Sequence, residues 1–169
     1  VLNNFLTRRE AVIAAEEKTP LSGLDNAGKT SILHAIIGAS PYTVAPTKGF
    51  NTRKVQFDKV EFYIYDIGGQ KSLRSHWSDY YTDVYGVVWV IDSADKRRMY
   101  ETGLELAILL QDERLLNIPI LIMANKQDLS TALSAAEDFF VLLTNTDSTE
   151  LELHAIRNHN WHIQACSAT

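Results

Sequence analysis

One stretch of eight residues constrains the fold of this chain more than any other. Residues 23–30, Gly-Leu-Asp-Asn-Ala-Gly-Lys-Thr, fit the pattern G-x-x-x-x-G-K-[ST] of a phosphate-binding loop between a strand and a helix. The glycines let the backbone approach a phosphate without a Cβ in the way, and the following helix directs its N-terminal N–H groups at the anion. The pattern therefore predicts a nucleotide site, with a flexible glycine loop before an ordinary helix as the alternative.

Eight positions of this loop and of the helix start are predicted to bind the nucleotide phosphates. They are Gly23, Asp25, Asn26, Ala27, Gly28, Lys29, Thr30 and Ser31. Lys29 would reach the β- and γ-phosphates, which makes it a predicted catalytic residue as well. The hydroxyl of Thr30 is a predicted ligand of Mg²⁺.

A second motif indicates which base the nucleotide carries. Residues 125–128, Asn-Lys-Gln-Asp, follow the apolar run 118–124, which has the pattern of a buried strand. The Asp128 carboxylate, if buried, can accept two hydrogen bonds from N1–H and N2–H₂ of guanine, a donor pair that adenine lacks. Asn125 is predicted to tie this loop to the phosphate loop, and the stem of Lys126 to lie along the base. Alone, the motif fits a polar turn equally well. Because it follows a phosphate-binding loop in this chain, it favours a guanine-nucleotide-binding protein over an ATPase or a kinase.

A third motif, Asp-Ile-Gly-Gly-Gln at residues 66–70, ends the alternating strand pattern of residues 60–65. Asp66 can hold Mg²⁺ through a water molecule, and Gly69 can offer an unhindered N–H to the γ-phosphate. Gln70 can orient the attacking water, so it is the second predicted catalytic residue. Taken in isolation, these residues also fit a Gly-Gly turn at a strand end.

Two shorter stretches complete the predicted site. Thr47 lies between the first and third motifs and is a candidate second hydroxyl ligand of Mg²⁺, although a lone loop threonine is usually a solvated hydroxyl. Ser167 and Ala168 follow the strand-like residues 161–165, and the backbone N–H groups there are predicted to reach the guanine O6.

With these motifs in order, the chain resembles a small GTPase of the ADP-ribosylation-factor-like branch of the Ras superfamily. The matching strings are GLDNAGKT at 23–30, PTKGFN at 46–51, DIGGQ at 66–70, VIDSAD at 90–95, NKQD at 125–128 and CSAT at 166–169. The resemblance implies an α/β fold of the P-loop NTPase type, with a mostly parallel six-stranded sheet, one antiparallel edge strand and helices on both faces. The alternation of strand and helix patterns along the chain indicates the same class.

The resemblance implies a switch that binds GTP or GDP with Mg²⁺, hydrolyses GTP slowly and recruits effector proteins in its GTP state. Residues 46–51 contain no arginine that could act in cis, so a GTPase-activating protein is expected to supply one, worth roughly 10³–10⁵ in rate. A guanine-nucleotide exchange factor is the other implied regulator. Phe50, Tyr65 and Tyr80 match the hydrophobic effector patch of the family, with core packing as the alternative. A GTP-dependent binding scaffold with little or no hydrolysis is the alternative function.

The resemblance also implies a pathway and a location, namely membrane or ciliary protein trafficking in the cytoplasm and peripherally at intracellular or ciliary membranes. Residues 1–13 contain apolar residues beside Arg8 and Arg9, which fits an amphipathic helix at a membrane surface. A frayed terminus, or a helix packed on the domain, is the alternative for this segment. A monomer is the default oligomeric state.

Composition argues against several other classes of protein. The net charge of −5 and the pI near 5.5 argue against general nucleic-acid binding. The single cysteine, Cys166, excludes an internal disulfide and fits a reducing compartment. No apolar run approaches the roughly 18 residues of a membrane span.

The predicted organisation is an N-terminal segment, residues 1–20, followed by a GTPase domain over residues 21–169 that lacks the usual C-terminal helix. The strand before the phosphate loop is predicted to be a poor central strand, because Pro20 removes a ladder donor and the charged residues 16–18 cannot face a core. Either only residues 21–22 pair with a neighbour, or residues of the usual strand are missing.

Three further segments have recognisable patterns. Residues 84–91 have the pattern of a buried central strand, and residues 54–57 with 61–65 that of a hairpin turning at residues 58–59. The polar stretch within residues 138–151 predicts a surface loop, with a partner contact as the alternative.

Two predictions concern the core. In the predicted helix 101–111, one apolar face consists of Leu104, Ala107, Ile108 and Leu110. The tryptophans are all predicted to be core residues, namely Trp77, Trp89 and Trp161.

Overall fold

Six strands form one mixed sheet in this computed structural model, which describes residues 17–42, 44–57, 60–144 and 159–169. The strands are β1 (Glu17–Ser22), β2 (Phe50–Phe57), β3 (Val60–Ile67), β4 (Val87–Asp92), β5 (Ile120–Asn125) and β6 (Trp161–Ala165). Their spatial order is β2-β3-β1-β4-β5-β6. Among these described strands, only the β2–β3 pairing is antiparallel, which places the antiparallel strand at an edge as predicted.

In the described part of the chain, three α-helices and three 3₁₀ segments connect the strands. The α-helices are α1 (Lys29–Ile36), α2 (Met99–Leu110) and α3 (Ala135–Thr144), and the 3₁₀ segments are Lys71–Tyr80, Lys96–Arg98 and Glu113–Leu115. Among the described residues, α1 contributes to one buried apolar cluster, while α2 and α3 contribute to a second. Helices therefore cover both faces of the sheet, and the predicted fold class is confirmed. None of the described helices is long and apolar enough to cross a bilayer.

Strand β1 occupies the centre of the sheet, so the prediction of a poor first strand is wrong. Residues Glu17 to Leu21 pair in parallel with Phe62 to Asp66 of β3. Thr19 and Ser22 are fully buried, as expected for a central strand with neighbours on both sides. The predicted boundary after residue 20 therefore falls within a strand.

Pro20 has no N–H to donate, but it is tolerated in β1 because the β1–β4 hydrogen-bond ladder is interrupted at this position. Backbone polar groups of alternate residues face the same neighbour, and the carbonyl of Lys18 accepts a hydrogen bond from Tyr85 on the β4 side. Lys18 pairs with Val84 but Leu21 with Val88, so three steps along β1 match four on the other strand. The extra residue on the β4 side interrupts the regular hydrogen-bond pattern opposite Pro20. The missing N–H of Pro20 therefore removes no regular ladder bond.

The predicted strand over residues 84–91 begins later than expected. Continuous pairing starts at Val87, while Val84 forms only a single bridge. Residues Val87 to Ile91 are all buried, because helices cover both faces of this central strand. The hairpin strands are longer than predicted, and its turn at residues 58–59 lies outside the described residues.

The predicted apolar face of α2 is wrong in two of its four members. Leu104 and Ile108 are 38% and 64% exposed. The buried residues of this helix are Met99, Thr102, Gly103, Leu106, Leu109 and Leu110. The helix carries apolar residues on two sides, so periodicity alone does not decide which side is buried. Packing decides it, since Gly103 lies against Leu142 of α3.

Two further predictions need correction. Trp77 and Trp89 are buried core residues, but Trp161 is 37% exposed because it lies at the start of an edge strand. The predicted loop over residues 138–151 begins inside α3, whose first turn is capped by reciprocal hydrogen bonds between Ser134 and Glu137. Residues 145–151, like the predicted amphipathic segment 1–13, lie outside the described residues.

Candidate functional site

Apart from Thr47, which precedes β2, the predicted nucleotide-site residues lie at or just after the carboxyl ends of parallel strands, which meet at one edge of the sheet. The phosphate loop follows β1, the third motif ends β3, the base motif follows β5 and residues 166–168 follow β6. Open α/β sheets bind ligands at this edge, beyond the carboxyl ends of their strands. The topology thus brings together motifs that lie as far apart in sequence as Gly23 and Ala168.

The two glycines of the phosphate loop are required by close backbone packing. Gly23 and Gly28 have φ angles of 136° and 95°, in the region that favours glycine. A Cβ on Gly23 would lie 2.3 Å from the carbonyl oxygen of Val90, and one on Gly28 would lie 2.3 Å from Nδ2 of Asn125. Any other residue at either position would force the loop away from its neighbours.

Lys29 is buried beneath the phosphate loop. Its Nζ donates hydrogen bonds to the carbonyl oxygens of Gly23 and Leu24, each over 2.8 Å. Burial lowers the pKa of Lys29 to about 8, although the nearby carboxylates of Asp66 and Asp25 oppose that shift. The ammonium group is therefore held inside the loop and would gain from a nearby anion.

The predicted magnesium ligands converge on one carboxylate. Thr30 Oγ1 donates to Asp66 Oδ2 over 2.7 Å and lies 3.0 Å from Thr47 Oγ1, which is itself 3.4 Å from Asp66 Oδ2. Asp66 Oδ1 is buried and has no hydrogen-bond partner among the described residues, and burial raises the pKa of this carboxyl. Two hydroxyls and a carboxylate with one unpaired oxygen fit a hard cation such as Mg²⁺.

Gly69 and Gln70 lie against the phosphate loop. A Cβ on Gly69 would lie 2.3 Å from the backbone nitrogen of Asp25, so only glycine fits there. Gln70 is exposed and lines a cleft of about 270 Å³. The cleft is bounded by three segments, residues 25–31, 44–47 and 68–70. Thr47 and Gln70 therefore reach the same cleft as the phosphate loop.

The base motif contacts the phosphate loop as predicted. The Asn125 side chain is buried, and its Nδ2 donates to the carbonyl oxygen of Ala27 over 2.8 Å. Lys126, in the left-handed backbone region with a φ of 66°, donates from Nζ to Asp92 Oδ2 over 2.7 Å. This ion pair fixes the lysine stem beside the loop.

The loop after β6 also reaches the base motif. Ser167 Oγ donates to Asp128 Oδ1 over 2.6 Å, which places the two predicted guanine contacts together. Asp128 is exposed, so the assumption that it is buried is wrong for the chain by itself. Ala168 packs against the apolar cluster that contains α1. The two loops are joined through backbone hydrogen bonds of Cys166.

Three aromatic rings form a cluster at the surface. They lie on β2, on β3 and in the 3₁₀ segment Lys71–Tyr80. Ring centroids lie 5.1 Å apart for Phe50 and Tyr80, 6.3 Å for Phe50 and Tyr65, and 6.1 Å for Tyr65 and Tyr80. Phe50 is 49% exposed, while the two tyrosines are partly buried. The three predicted effector residues are therefore neighbours.

Sequence reasoning missed a set of charged side chains around Asp25. Arg98 donates to Asp25 Oδ1 over 3.1 Å and to Asp95 over 2.7 Å. Arg74 lies 3.7 Å from Asp25 Oδ1 and bonds Glu101 and Glu105 on α2. These partners are up to 73 residues apart, and no local pattern distinguishes a paired arginine from a solvated one.

A buried polar pair beside the base motif was also missed. Ser93 follows β4 and donates to Asp138 of α3, which is fully buried. The backbone N–H of Ser93 donates to the carbonyl of Asn125, and the Ser93 carbonyl accepts from the N–H of Leu133. The pair is therefore connected to the base motif through Asn125. The only available signal was the string at residues 90–95, which gave no indication of the partner.

Comparison with known proteins decides the family. A sequence profile described as the ADP-ribosylation factor family matches residues 6–169. The chain belongs to this family. It is 44% identical over 153 residues to ADP-ribosylation factor-like protein 3 of Chlamydomonas reinhardtii, covering 90% of this chain and 81% of that protein. The corresponding protein of Caenorhabditis elegans is 46% identical over 149 residues, covering 88% of this chain and 76% of that protein.

Solved structures agree with this family membership. The Arl6 BBS3 small GTPase of Trypanosoma brucei, with the bound nucleotide analogue GppNp, superimposes with a TM-score of 0.77 at 28% identity. The alignment covers 91% of this chain and 88% of that structure. The mammalian SRP receptor gives a TM-score of 0.80 at 21% identity, over 90% of this chain and 92% of that one, which shows a shared fold. As an Arf-like protein, the chain is a GTP-binding switch and a GTP hydrolase.

Proposed function

We propose that the chain binds guanine nucleotide and Mg²⁺ in the cleft beside the phosphate loop and hydrolyses GTP slowly. The observation that carries the proposal is the convergence of Thr30, Thr47 and Asp66, with Gln70 lining the same cleft. These residues come from three separate segments, and a structural role alone gives no reason for their oxygens to meet around a buried, partly unsatisfied carboxylate.

The phosphates would be held by the backbone of the phosphate loop and by Lys29. This ammonium group bonds two loop carbonyls, and an anionic phosphate within reach would be a stronger partner for it. Thr30, Thr47 and, through water, Asp66 would hold Mg²⁺. When bound, Mg²⁺ supplies positive charge that offsets the charge of the phosphate oxygens.

The base would be selected by the loops after β5 and β6. Asp128 would accept two hydrogen bonds from guanine, and the N–H groups near Ser167 and Ala168 would donate to its O6. The bond between Ser167 and Asp128 supports this assignment, because it already places the two recognition elements side by side.

Hydrolysis would depend on Gln70, which is exposed at the cleft and free to orient a water toward the γ-phosphate. The loops around Thr47 and Gly69 both line the cleft, so the γ-phosphate would hold both and its loss would release both. Since residues 46–51 contain no arginine, a GTPase-activating protein would accelerate the step.

The output of the switch would be effector binding through Phe50, Tyr65 and Tyr80. Their ring cluster lies at the end of the strand pair that directly follows the Thr47 loop, so it is continuous with a segment that would change with the nucleotide. We place the protein in membrane or ciliary protein trafficking, with exchange factors as the opposing regulators and residues 1–13 as a peripheral membrane contact. The similarity to proteins named ADP-ribosylation factor-like protein 3 and Arl6 supports this placement.

Identification of the co-purifying nucleotide tests the proposed ligand. The chain is purified with Mg²⁺, denatured, and the released nucleotide is separated by ion-exchange chromatography. One guanine nucleotide per chain, mainly GDP, is the expected result for the unaltered protein. Adenine nucleotide, or GTP and ATP competing at similar concentrations, would overturn the assignment of the base.

A further inference from the structure

Arg74 connects the third motif to helix α2. Its Nε donates to the carbonyl oxygen of Gly69 over 3.0 Å. Its Nη1 donates to Glu101 over 2.7 Å and to Glu105 over 2.9 Å. Only 7% of this side chain is exposed, although it lies in a polar 3₁₀ segment at the surface. Its Nε bonds the third motif and its Nη1 bonds α2. Because the side chain is also buried, these bonds fix its position.

The bond to Gly69 acts on the peptide group that precedes Gln70. The carbonyl of Gly69 and the N–H of Gln70 belong to one planar unit, so fixing the carbonyl oxygen also fixes where the backbone of Gln70 begins. On its other side, Gly69 lies against the backbone of Leu24 and Asp25, with no room for a Cβ. This peptide group is therefore held between the phosphate loop and Arg74.

A lysine could not make the same set of contacts. The planar guanidinium offers donors in several fixed directions, and here they reach Gly69, Glu101 and Glu105 together, with Asp25 at 3.7 Å. A lysine places all three of its donors on one nitrogen at the end of a flexible chain. Substitution by lysine would keep the charge and the link to α2, but it would release the Gly69 carbonyl.

We propose that Arg74 is a positioning residue for GTP hydrolysis, which anchors the peptide between Gly69 and Gln70 to α2 and thereby places Gln70 at the cleft. The inference rests on the proposed role of Gln70. It assigns Arg74 no contact with the nucleotide, so its loss should slow the chemical step much more than it weakens binding. Misplacement of a catalytic group by about 1 Å is enough to slow a reaction by roughly 100-fold.

The test compares Arg74→Lys with Arg114→Lys. Arg114 is likewise bonded to carboxylate oxygens, here both oxygens of Asp112, but it lies at an exposed position outside the cleft and so provides a matched control. Single-turnover hydrolysis is measured on chains preloaded with GTP and Mg²⁺, and the Kd for fluorescent GDP is measured in parallel. For Arg74→Lys we expect hydrolysis roughly 10- to 100-fold slower with GDP affinity within about threefold, and for Arg114→Lys no change in either.

A second variant keeps Arg74 and removes the charge of its anchors. In a Glu101→Gln, Glu105→Gln double variant the amide oxygens can still accept hydrogen bonds, but the bonds lose their charge assistance, so hydrolysis should be slower by a smaller factor. Hydrolysis rates unchanged within twofold in both variants would overturn the inference, as would a parallel loss of GDP affinity and rate. Gln70→Leu separates the two claims: if it abolishes hydrolysis while Arg74→Lys has no effect, only the role of Arg74 is wrong.

Discussion

The side chain of Asn125 donates a hydrogen bond to the carbonyl oxygen of Ala27 over 2.8 Å, although 98 residues separate the two in sequence. Asn125 is also the residue that a Cβ on Gly28 would strike, at 2.3 Å. The Asn125 side chain thus joins the base motif to the phosphate loop, so a shift of one loop would disturb the other. This contact links the loop proposed to bind the base to the loop proposed to bind the phosphates.

Replacing Asn125 by alanine should weaken nucleotide binding. The Ala27 carbonyl would lose its buried partner, at a cost of about 1–3 kcal/mol, which corresponds to roughly 5- to 150-fold in Kd. The dissociation rate of fluorescent GDP measures the effect, with Asn160→Ala as the control because the side chain of Asn160 is exposed. Equal dissociation rates for Asn125→Ala and the unaltered chain would show that the contact does not support the site.

Removing the Thr30 hydroxyl should abolish the effect of Mg²⁺ on nucleotide release. In the unaltered chain, chelation of Mg²⁺ by EDTA is expected to accelerate GDP dissociation, because a cation bound by Thr30 and Thr47 would hold the phosphates. Thr30→Val has nearly the same shape but no ligand oxygen, so its release rate should be fast and insensitive to EDTA. Thr30→Ser retains the hydroxyl and should behave like the unaltered chain; a Thr30→Val protein that still responds to EDTA would exclude this ligand.

Lys29 should take up a proton when nucleotide binds near pH 8. Its pKa of about 8 in the chain alone reflects burial, and an anionic phosphate would raise that pKa by favouring the charged form. Near pH 8 a fraction of the lysine is therefore neutral, so binding should take up a fraction of a proton per GDP. Calorimetry in two buffers of different ionisation enthalpy gives this number. Lys29→Arg, always protonated, should take up none, and equal binding heats in both buffers for the unaltered chain would contradict the prediction.

Contiguous motifs were predictable because their chemistry is local. The phosphate loop and the base motif each consist of four to eight adjacent residues, so both could be identified from the sequence, and the alternation of strand and helix patterns indicated the fold class. By contrast, Pro20 could be judged only with knowledge of the irregular ladder beside it. The buried face of α2 depended on Leu142 in another helix, and the role of Arg74 on carboxylates about 30 residues away. Long-range packing and pairing, rather than local preference, decided each of these.

Asp138 should limit stability at neutral pH. Burial raises the pKa of this carboxyl to about 6 from an ordinary value of 3.8, so the folded chain binds more protons than the unfolded chain between these values. The free energy of unfolding therefore falls as pH rises through this window. Asp138→Asn keeps an acceptor for Ser93 without the charge, and it should be more stable at pH 7 by about 1–3 kcal/mol, with little difference near pH 4.

Urea unfolding at both pH values measures the effect of Asp138→Asn. Glu137 provides a control of opposite sign, because hydrogen bonds from Ser134 lower the pKa of this exposed carboxyl. Glu137→Gln should therefore lose stability at pH 7 rather than gain it. A destabilised Asp138→Asn at pH 7 would mean that the ionised carboxylate is needed in its buried position.

The most direct test of a GTP-hydrolysing switch is a single-turnover assay on the chain loaded with γ-labelled GTP and Mg²⁺. We expect slow release of one phosphate per chain, with a rate constant on the order of 10⁻⁴ s⁻¹, and retention of GTP by the Gln70→Leu variant under the same conditions. Stable retention of GTP by both proteins would instead indicate a GTP-dependent binding scaffold. Equal phosphate release from both would contradict the assignment of Gln70.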